Sequence, residues 1–451
     1  MRKFRFVWAF LGLFLVSAVG SVFGASPQKE VIYKLKLIDN NHAPQKILVI
    51  FTSGTSRFVK DLFNIIKKVN EAENLPESAR IKLHIITSGG DPISQLGISQ
   101  EDAEKYLEVN KKFSSGDIWV QDCMELCSAQ LSQDGKFVPA VFDSNRGRGL
   151  SGLPKVLAEM WGLTYAKNPS NSMAHGDYGG NLEVVPFDDV LVSGNTITKP
   201  CKEFLEKAGY SGRMFNPETR WLTVGHIDEY LSFIPTPHAP RGYSIVRADP
   251  EYGLEVLSGA SDEDFSKLDS GDRDFLLRVR AVIQAQKRNP NQGKGSSEDN
   301  FIALNRKIGE IIDKNVAQLK DYIRKVTNDP TRDFEEIAWP CFFEGRNGST
   351  PSGCCAYLPG VVNLLVVRNH LVVPDCYFPP FNKIIEARFR SQGNKVHFID
   401  DTPYHNSMGE VHCGTNVLRA LDKIVLTKAQ VAAVQAVKNR FNAVHGRATS
   451  R

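Results

Sequence analysis

Along this chain, short runs that are apolar at nearly every position alternate with longer stretches whose apolar residues recur every three or four positions. ILVIF at 47–51 is a run of the first kind and predicts a strand. After Ser53, Gly54 and Thr55, SRFVKDLFNIIKKVN places Phe58, Leu62, Ile65, Ile66 and Val69 on one helical face. IKLHII at 81–86 predicts another strand. Ser99 with Asp102 is a start signal for a helix through EDAEKYLEVNKKF. The rhythm continues through VVNLLVV at 361–367 and KVHFI at 395–399, and this alternation predicts an α/β fold.

Two regions depart from it. Between residues 258 and 328, charged helical patterns flank NPNQGKGSSEDN, a polar stretch of surface-loop composition, and together they read as a helical excursion from the main domain. SDEDFSKLDSGDRD within it lacks the spacing of a calcium-binding loop and reads as solvated helix surface. At the start, Arg2, Lys3 and Arg5 precede WAFLGLFLVSAVGSVFG, the order of a secretory signal peptide over residues 1–24. Residues 25–45 then form an N-terminal extension and 46–445 one large domain. No second run of roughly 18 apolar residues follows, so the mature protein is expected to be soluble and secreted.

Composition narrows the field. The chain is 42% hydrophobic, enough for a substantial core. The 55 Lys and Arg against 51 Asp and Glu leave +4 without a block of like charge, which predicts no nucleic-acid partner. Eight cysteines are too few and scattered for a disulfide scaffold, although export would permit some to pair. The absence of any CxxC pair argues against structural zinc.

Four polar stretches carry the candidate chemistry: SGDIWVQDCMEL with Asp122, FDSNRGRGL with Arg146 and Arg148, VGHIDEYLSF with His226 and Asp228, and GEVHCGTN with Cys413. Leu222, Val224, Leu231 and Phe233 around His226 and Asp228 favour a strand, from which residues two apart project on the same face. Cys413 has three readings: half of a disulfide, a zinc ligand with His226 and His412, or a nucleophile held beside an accessible glycine turn.

WVQDCME, FDSNRGRGL, GGNLEV at 179–184, VGHIDEYLSFIP and GEVHCGTN, in this order, resemble the catalytic domain of the calcium-dependent protein-arginine deiminases. The resemblance covers most of residues 110–420. It implies a pentein fold, a five-fold pseudosymmetric propeller of αββαβ units with the active site at its centre. Carried over by position, Cys413 resembles the nucleophile, His226 the general acid and base, and Asp122 and Asp228 the pair that holds the guanidinium. Arg146 and Arg148 resemble the arginines that contact the substrate backbone, and Trp119 the aromatic wall along the substrate methylenes. Gln121, Glu125, Gly179, Leu182 and Glu183 match one calcium site. Asp143 and Ser144 match a second, with Cys123 where the family has glutamate and Gly147 where it has asparagine.

These residue types suit the chemistry. A guanidinium is a planar fork of five donors, so two carboxylates can orient it and offset its charge. The reaction implied is hydrolysis of peptidyl arginine to peptidyl citrulline and ammonia through a cysteine thiouronium, with arginine-containing proteins as partners and Ca2+ as cofactor. Three rivals stand beside it: a deiminase of agmatine or free arginine, an inactive calcium- and arginine-binding module, and a Cys-His protease. The sequence carries no signal for an oligomeric state.

Overall fold

One strand-pairing pattern occurs five times. In each case a first strand pairs antiparallel with a second, and the second pairs parallel with a third. The five triplets are Met124–Gln130, Phe137–Asp143 and Thr164–Lys167; Glu183–Val185, Val190–Val192 and Met214–Phe215; Leu231–Pro235, Tyr243–Asp249 and Glu335–Pro340; Leu365–Val367, His370–Pro374 and Lys395–Ile399; and Thr415–Ile424, His42–Phe51 and Lys82–Thr87. The fifth joins the C-terminal strand to strands from the start of the chain. Leu107–Asn110 extends it by a further parallel strand. Parallel neighbours cannot be joined by a tight turn, which is why helices recur between second and third strands.

This computed structural model describes residues 32–425 except 88 and 171–173. The expected leader over 1–24, residues 25–31 of the extension and residues 426–445 lie outside the described residues. Among the described residues no helix is long and apolar enough to cross a membrane. The expected domain start at 46 falls inside His42–Phe51. Lys34–Leu37 is moreover paired antiparallel with Met124–Gln130, with Leu35 and Leu37 buried, so this part of the extension belongs to the sheet.

ILVIF is fully buried, and the helix Ser56–Ala72 buries Phe58, Leu62, Ile65, Ile66 and Val69 against it as the spacing predicts. Ser99 caps the next helix by accepting from the Asp102 N–H, but that helix ends at Tyr106 and Leu107–Asn110 is a strand. There, ladder pairing with Leu83–Ile86 overrides helical propensity. VVNLLVV is a strand only over Leu365–Val367. Its first half is a buried turn, which an apolar run does not distinguish from a strand.

The helical excursion is the crossover of the third triplet. Pro250–Gly259, Ser270–Arg288 and Ser297–Thr327 connect its two parallel strands. They bury Leu257, Leu276, Val279, Ile308, Ile312 and Leu319 in one core with Ile245 and Ile337. Its acidic stretch serves as helix caps: Asp269 accepts from the N–H groups of Gly271 and Asp272, and Asp264 from Ser261.

Candidate active site

Every triplet is entered by a turn, and the five turns meet. Asp122 lies just before Met124–Gln130, Gly180 before Glu183–Val185, Asp228 before Leu231–Pro235, Asn363 before Leu365–Val367 and Cys413 before Thr415–Ile424. The Gln121 N–H donates to the Cys413 carbonyl at 3.3 Å and the Asp228 N–H to the Gly180 carbonyl at 3.2 Å. Asn363 touches both Asp228 and Cys413. Gly179 packs on the Gln121 carbonyl, closing the ring of contacts.

Cys413 is a free thiol on a tight turn in which Gly414 N–H donates to the Glu410 carbonyl. A Cβ at Gly414 would stand 2.3 Å from the Tyr404 ring, so glycine is required for the close approach. Its sulfur lies 3.5 Å from Asp228 Oδ2. Burial, reinforced by the charges of Asp228 and Asp122, pushes this thiol well above its ordinary pKa.

His226 and Asp228 do not sit on a strand. They occupy a turn in which the half-buried Glu229 side chain folds back to accept the His226 N–H at 2.9 Å, and the strand begins only at Leu231. Apolar flanks at even spacing do not reveal that turn. His226 Nε2 lies 2.9 Å from the His175 carbonyl. A carbonyl only accepts, so Nε2 is the donor in this contact and Nδ1, 3.9 Å from Asp122 Oδ1, is the nitrogen that faces the carboxylate.

Both carboxylates have unspent acceptor capacity. Asp228 Oδ2 accepts from His412 Nδ1 at 2.9 Å, whereas Oδ1 is buried without a hydrogen-bond partner. Asp122 has Arg146 Nη2 at 3.5 Å, and burial raises its pKa against the pull of His226 and Arg146. Asp122, His226 and Cys413 line a cavity of about 200 Å³ with Trp119 and Arg148 on its walls, and Asp228 stands directly behind the sulfur.

The two arginines separate. Arg148 lines the cavity with its side chain 58% exposed. Arg146 is fully buried, donates to Asp117 at 2.8 Å and lies under the Tyr178 ring. Arg146 Nη2 lies 3.5 Å from Asp122 Oδ2, and the side chain is set against that carboxylate rather than lining the cavity. Trp119 packs over Gly409, where an added Cβ would stand 2.4 Å from its ring.

Gly180 backs the catalytic pair. A Cβ there would lie 2.7 Å from His226 Nδ1 and 2.9 Å from Asp228 Oδ2. Gly180→Ala is expected to lower kcat/KM on an arginine peptide by about 100-fold, because displacing reacting groups by a fraction of an ångström has effects of that order. A variant that folds, by circular dichroism, and keeps wild-type kcat/KM would contradict this geometry.

Gln121, Glu125, Leu182 and Glu183 line a second, narrower cavity beside Asp39 and Arg419. Gln121 Nε2 donates to Glu125 Oε1 at 2.6 Å. Gly179 has no side chain to intrude, since its Cβ would meet that same carboxylate at 2.4 Å, and its carbonyl accepts the Leu182 N–H. Burial, with the charge of Glu183, raises Glu125 well above the ordinary carboxylate range, and burial pushes Glu183 up to about 7. Two such carboxylates beside amide and backbone oxygens form a donor set suited to a hard cation.

Asp143 and Ser144, matched by position to a second site, have partners of their own. Asp143 accepts from Asn145 N–H and Tyr165 OH, Ser144 Oγ donates to the Asp122 carbonyl, and Cys123 Sγ turns to Val120. These groups are thus bonded to other residues, and a cysteine stands where the resemblance expects a carboxylate. Among the described residues no three His, Cys, Asp or Glu side chains are grouped as a metal site. The zinc reading therefore fails: His412 Nδ1 is directed at Asp228 and His226 Nε2 at a carbonyl.

His412 is a site residue that the motifs alone do not assign. It touches Asp228 on one side and has Glu183 at 3.9 Å on the other, so it joins the thiol site to the second cavity. Burial opposes its charged form, but the Asp228 hydrogen bond and charge outweigh that and raise its pKa. Only its adjacency to Cys413 hints at this in the sequence.

The backbone arrangement is a mixed α/β fold that is also found in solved structures assigned as deiminases. It is similar to a Porphyromonas gingivalis protein assigned as an arginine deiminase, with a TM-score of 0.51 at 13% identity, covering 87% of this chain and 100% of that one. It is also similar to a protein assigned as a peptidyl-arginine deiminase, with a TM-score of 0.52 at 12% identity, covering 86% and 99%. Within that class the chain belongs to the protein-arginine deiminase family, whose family model matches residues 93–196 and 187–424. It is 32% identical over 331 residues to human protein-arginine deiminase type-3 and 31% identical to the rat type-3 protein, covering 67% of this chain in each case. These matches span 46% of the length of either relative.

Proposed function

We propose that this chain hydrolyses the guanidinium of peptidyl arginine to peptidyl citrulline and ammonium, with Cys413 as nucleophile. The observation that carries this reading is the constellation at the cavity: a free thiol, an imidazole and the Asp122 carboxylate line it, and buried Asp228, with one oxygen unpartnered, lies 3.5 Å from the sulfur. A planar cation with donors on three nitrogens satisfies both carboxylates at once, which an amide carbonyl cannot do.

Asp122 and Asp228 orient the guanidinium with its central carbon at the sulfur. The arriving cation also favours transfer of the thiol proton to His226 Nδ1, which burial and carboxylate charge otherwise oppose. The thiolate adds to the central carbon, the bond to one terminal nitrogen breaks, and His226 Nδ1 supplies the proton with which that nitrogen leaves as ammonia. Nδ1 then takes a proton from water as the water oxygen attacks the thiouronium carbon. Cleavage of the C–S bond returns the thiolate, and the remaining proton passes to ammonia, so guanidinium plus water becomes urea plus ammonium. Trp119 flanks the methylenes and Arg148, at the rim, offers donors to peptide carbonyls.

In this reading Gln121, Glu125, Leu182 and Glu183 hold one Ca2+, which when bound offsets the buried carboxylate charge behind His412. Calcium at 100 times its Kd is expected to stabilise the wild-type protein by about 2.7 kcal/mol. Glu183→Gln should lose that response while melting at or above the wild-type temperature in chelator. An equal calcium-induced shift in Glu183→Gln would rule this ligand out. The ring of contacts among the five turns supports a five-fold pentein arrangement around the site, and the leader-like residues 1–24 support export.

The substrate class is tested by kcat/KM on a blocked arginine peptide against agmatine and free arginine. The exposed position of Arg148 predicts a preference of at least ~10-fold for the peptide. Turnover of the small guanidines alone would favour the small-molecule deiminase.

A further inference from the structure

Asn363 sits inside VVNLLVV, a stretch that reads as plain core, yet its side chain faces the reacting sulfur. Its Oδ1 accepts the Cys413 N–H at 3.1 Å, while Nδ2 donates to Cys413 Sγ at 3.2 Å and to the Asp228 carbonyl at 3.2 Å. Its own carbonyl accepts the His412 N–H at 3.1 Å, and its N–H donates to the Gly360 carbonyl. The amide orientation is forced, because a flip would set an oxygen against the Asp228 carbonyl and an NH2 against the Cys413 N–H. The group at the sulfur is therefore a donor. The residue is 2% exposed, so water does not substitute for it.

The topology makes the same point independently. In four triplets the turn before the first strand contributes Asp122, Gly180, Asp228 or Cys413 to the site, and in the remaining triplet the corresponding residue is Asn363. Of the other charged or titratable groups around it, the Asp228 carboxylate lies 3.5 Å from the sulfur, and Asp122 and His226 line the same cavity. Carboxylates repel a sulfur anion, whereas an N–H donor aimed at it forms a charge-assisted hydrogen bond.

We propose that Asn363 is a catalytic residue, whose amide holds the Cys413 sulfur in attacking position and stabilises its anion before attack and again when it leaves the thiouronium carbon. This rests on the deiminase reading for its place in the reaction, but not for its contact with sulfur.

The test is Asn363→Ala and Asn363→Asp, read two ways with melting temperatures recorded. Turnover of a blocked arginine peptide is expected to lose about 10- to 100-fold in kcat in the alanine variant, with KM changed less than about 2-fold, the loss falling on the sulfur anion rather than on binding. Asn363→Asp keeps the acceptor for the Cys413 N–H but exchanges donor for carboxylate, and should be no more active than alanine. Alkylation of Cys413 by neutral iodoacetamide, followed by peptide mass spectrometry, should slow by about 10-fold in both variants. An aspartate variant within a few-fold of wild type in kcat, or unchanged alkylation in a folded variant, would overturn the assignment. If neither variant folds, a crystal structure of the wild-type protein decides: an Asn363 amide beyond hydrogen-bond reach of Cys413 Sγ overturns it. Asn363-dependent alkylation in a protein that leaves arginine peptides intact would retain this contact and remove the deiminase reading.

Discussion

Cys413→Ala is expected to reduce citrulline formation on the order of 10⁴-fold or more while leaving the fold intact. The reaction as written has no step that bypasses the sulfur, because the thiouronium forms on it and is hydrolysed from it. The substitution removes one sulfur from a cavity wall and disturbs no backbone bond: the Gln121 N–H to Cys413 carbonyl contact and the Gly414 turn remain. The melting temperature should therefore stay close to that of wild type. Ammonia release measured against the wild-type protein checks this, and a variant that retains a tenth of wild-type activity would require another nucleophile. Cys355 is the thiol to test next, since it lines a smaller cavity adjoining Cys413.

Asp122→Asn should separate activity from stability. The carboxylate is buried, and that burial raises its pKa. A group whose folded pKa exceeds its unfolded value favours the folded state most at low pH, and this contribution is lost as pH rises through the folded pKa. Ionisation of this carboxylate is thus a destabilising feature of the fold. The isosteric amide removes that penalty and leaves Arg146 its bond to Asp117. The variant should melt at or above the wild-type temperature. It should also lose about 10³-fold in kcat/KM, because one of the two charges that hold the guanidinium is gone. Urea unfolding beside peptide kinetics checks both halves. A variant that is inactive and clearly less stable would mean that Asp122 is structural, and one that is fully active would remove it from the substrate site.

Much of the site was legible because its chemistry is concentrated in short motifs. Asp122, His226, Asp228 and Cys413 converge as their motifs imply, although nearly 300 positions separate the first from the last and only strand pairing brings them together. What was not legible has identifiable causes. Arg146 and Arg148 lie two apart with similar neighbours and both approach Asp117, at 2.8 and 3.9 Å, so neither their spacing nor that partner marks which one is buried. The strand expected at His226 is a turn because Glu229 reaches back to a backbone N–H. Asn363 was concealed because an apolar run marks burial without distinguishing a strand from a buried turn. Asp143 and Ser144 match a calcium pattern by position, and the partners they have here, Tyr165 and Asn145 for Asp143 and the Asp122 carbonyl for Ser144, come from contacts that the motif does not encode.

Mass spectrometry of a blocked arginine peptide in ¹⁸O water, with and without calcium and with Cys413→Ala as control, tests the central claim most directly. The account predicts a gain of about 3 Da per arginine, dependent on calcium and absent in the variant, because one nitrogen leaves as ammonia and the new oxygen comes from water. An unchanged peptide under reducing, calcium-replete conditions, or conversion that persists in Cys413→Ala, would contradict it.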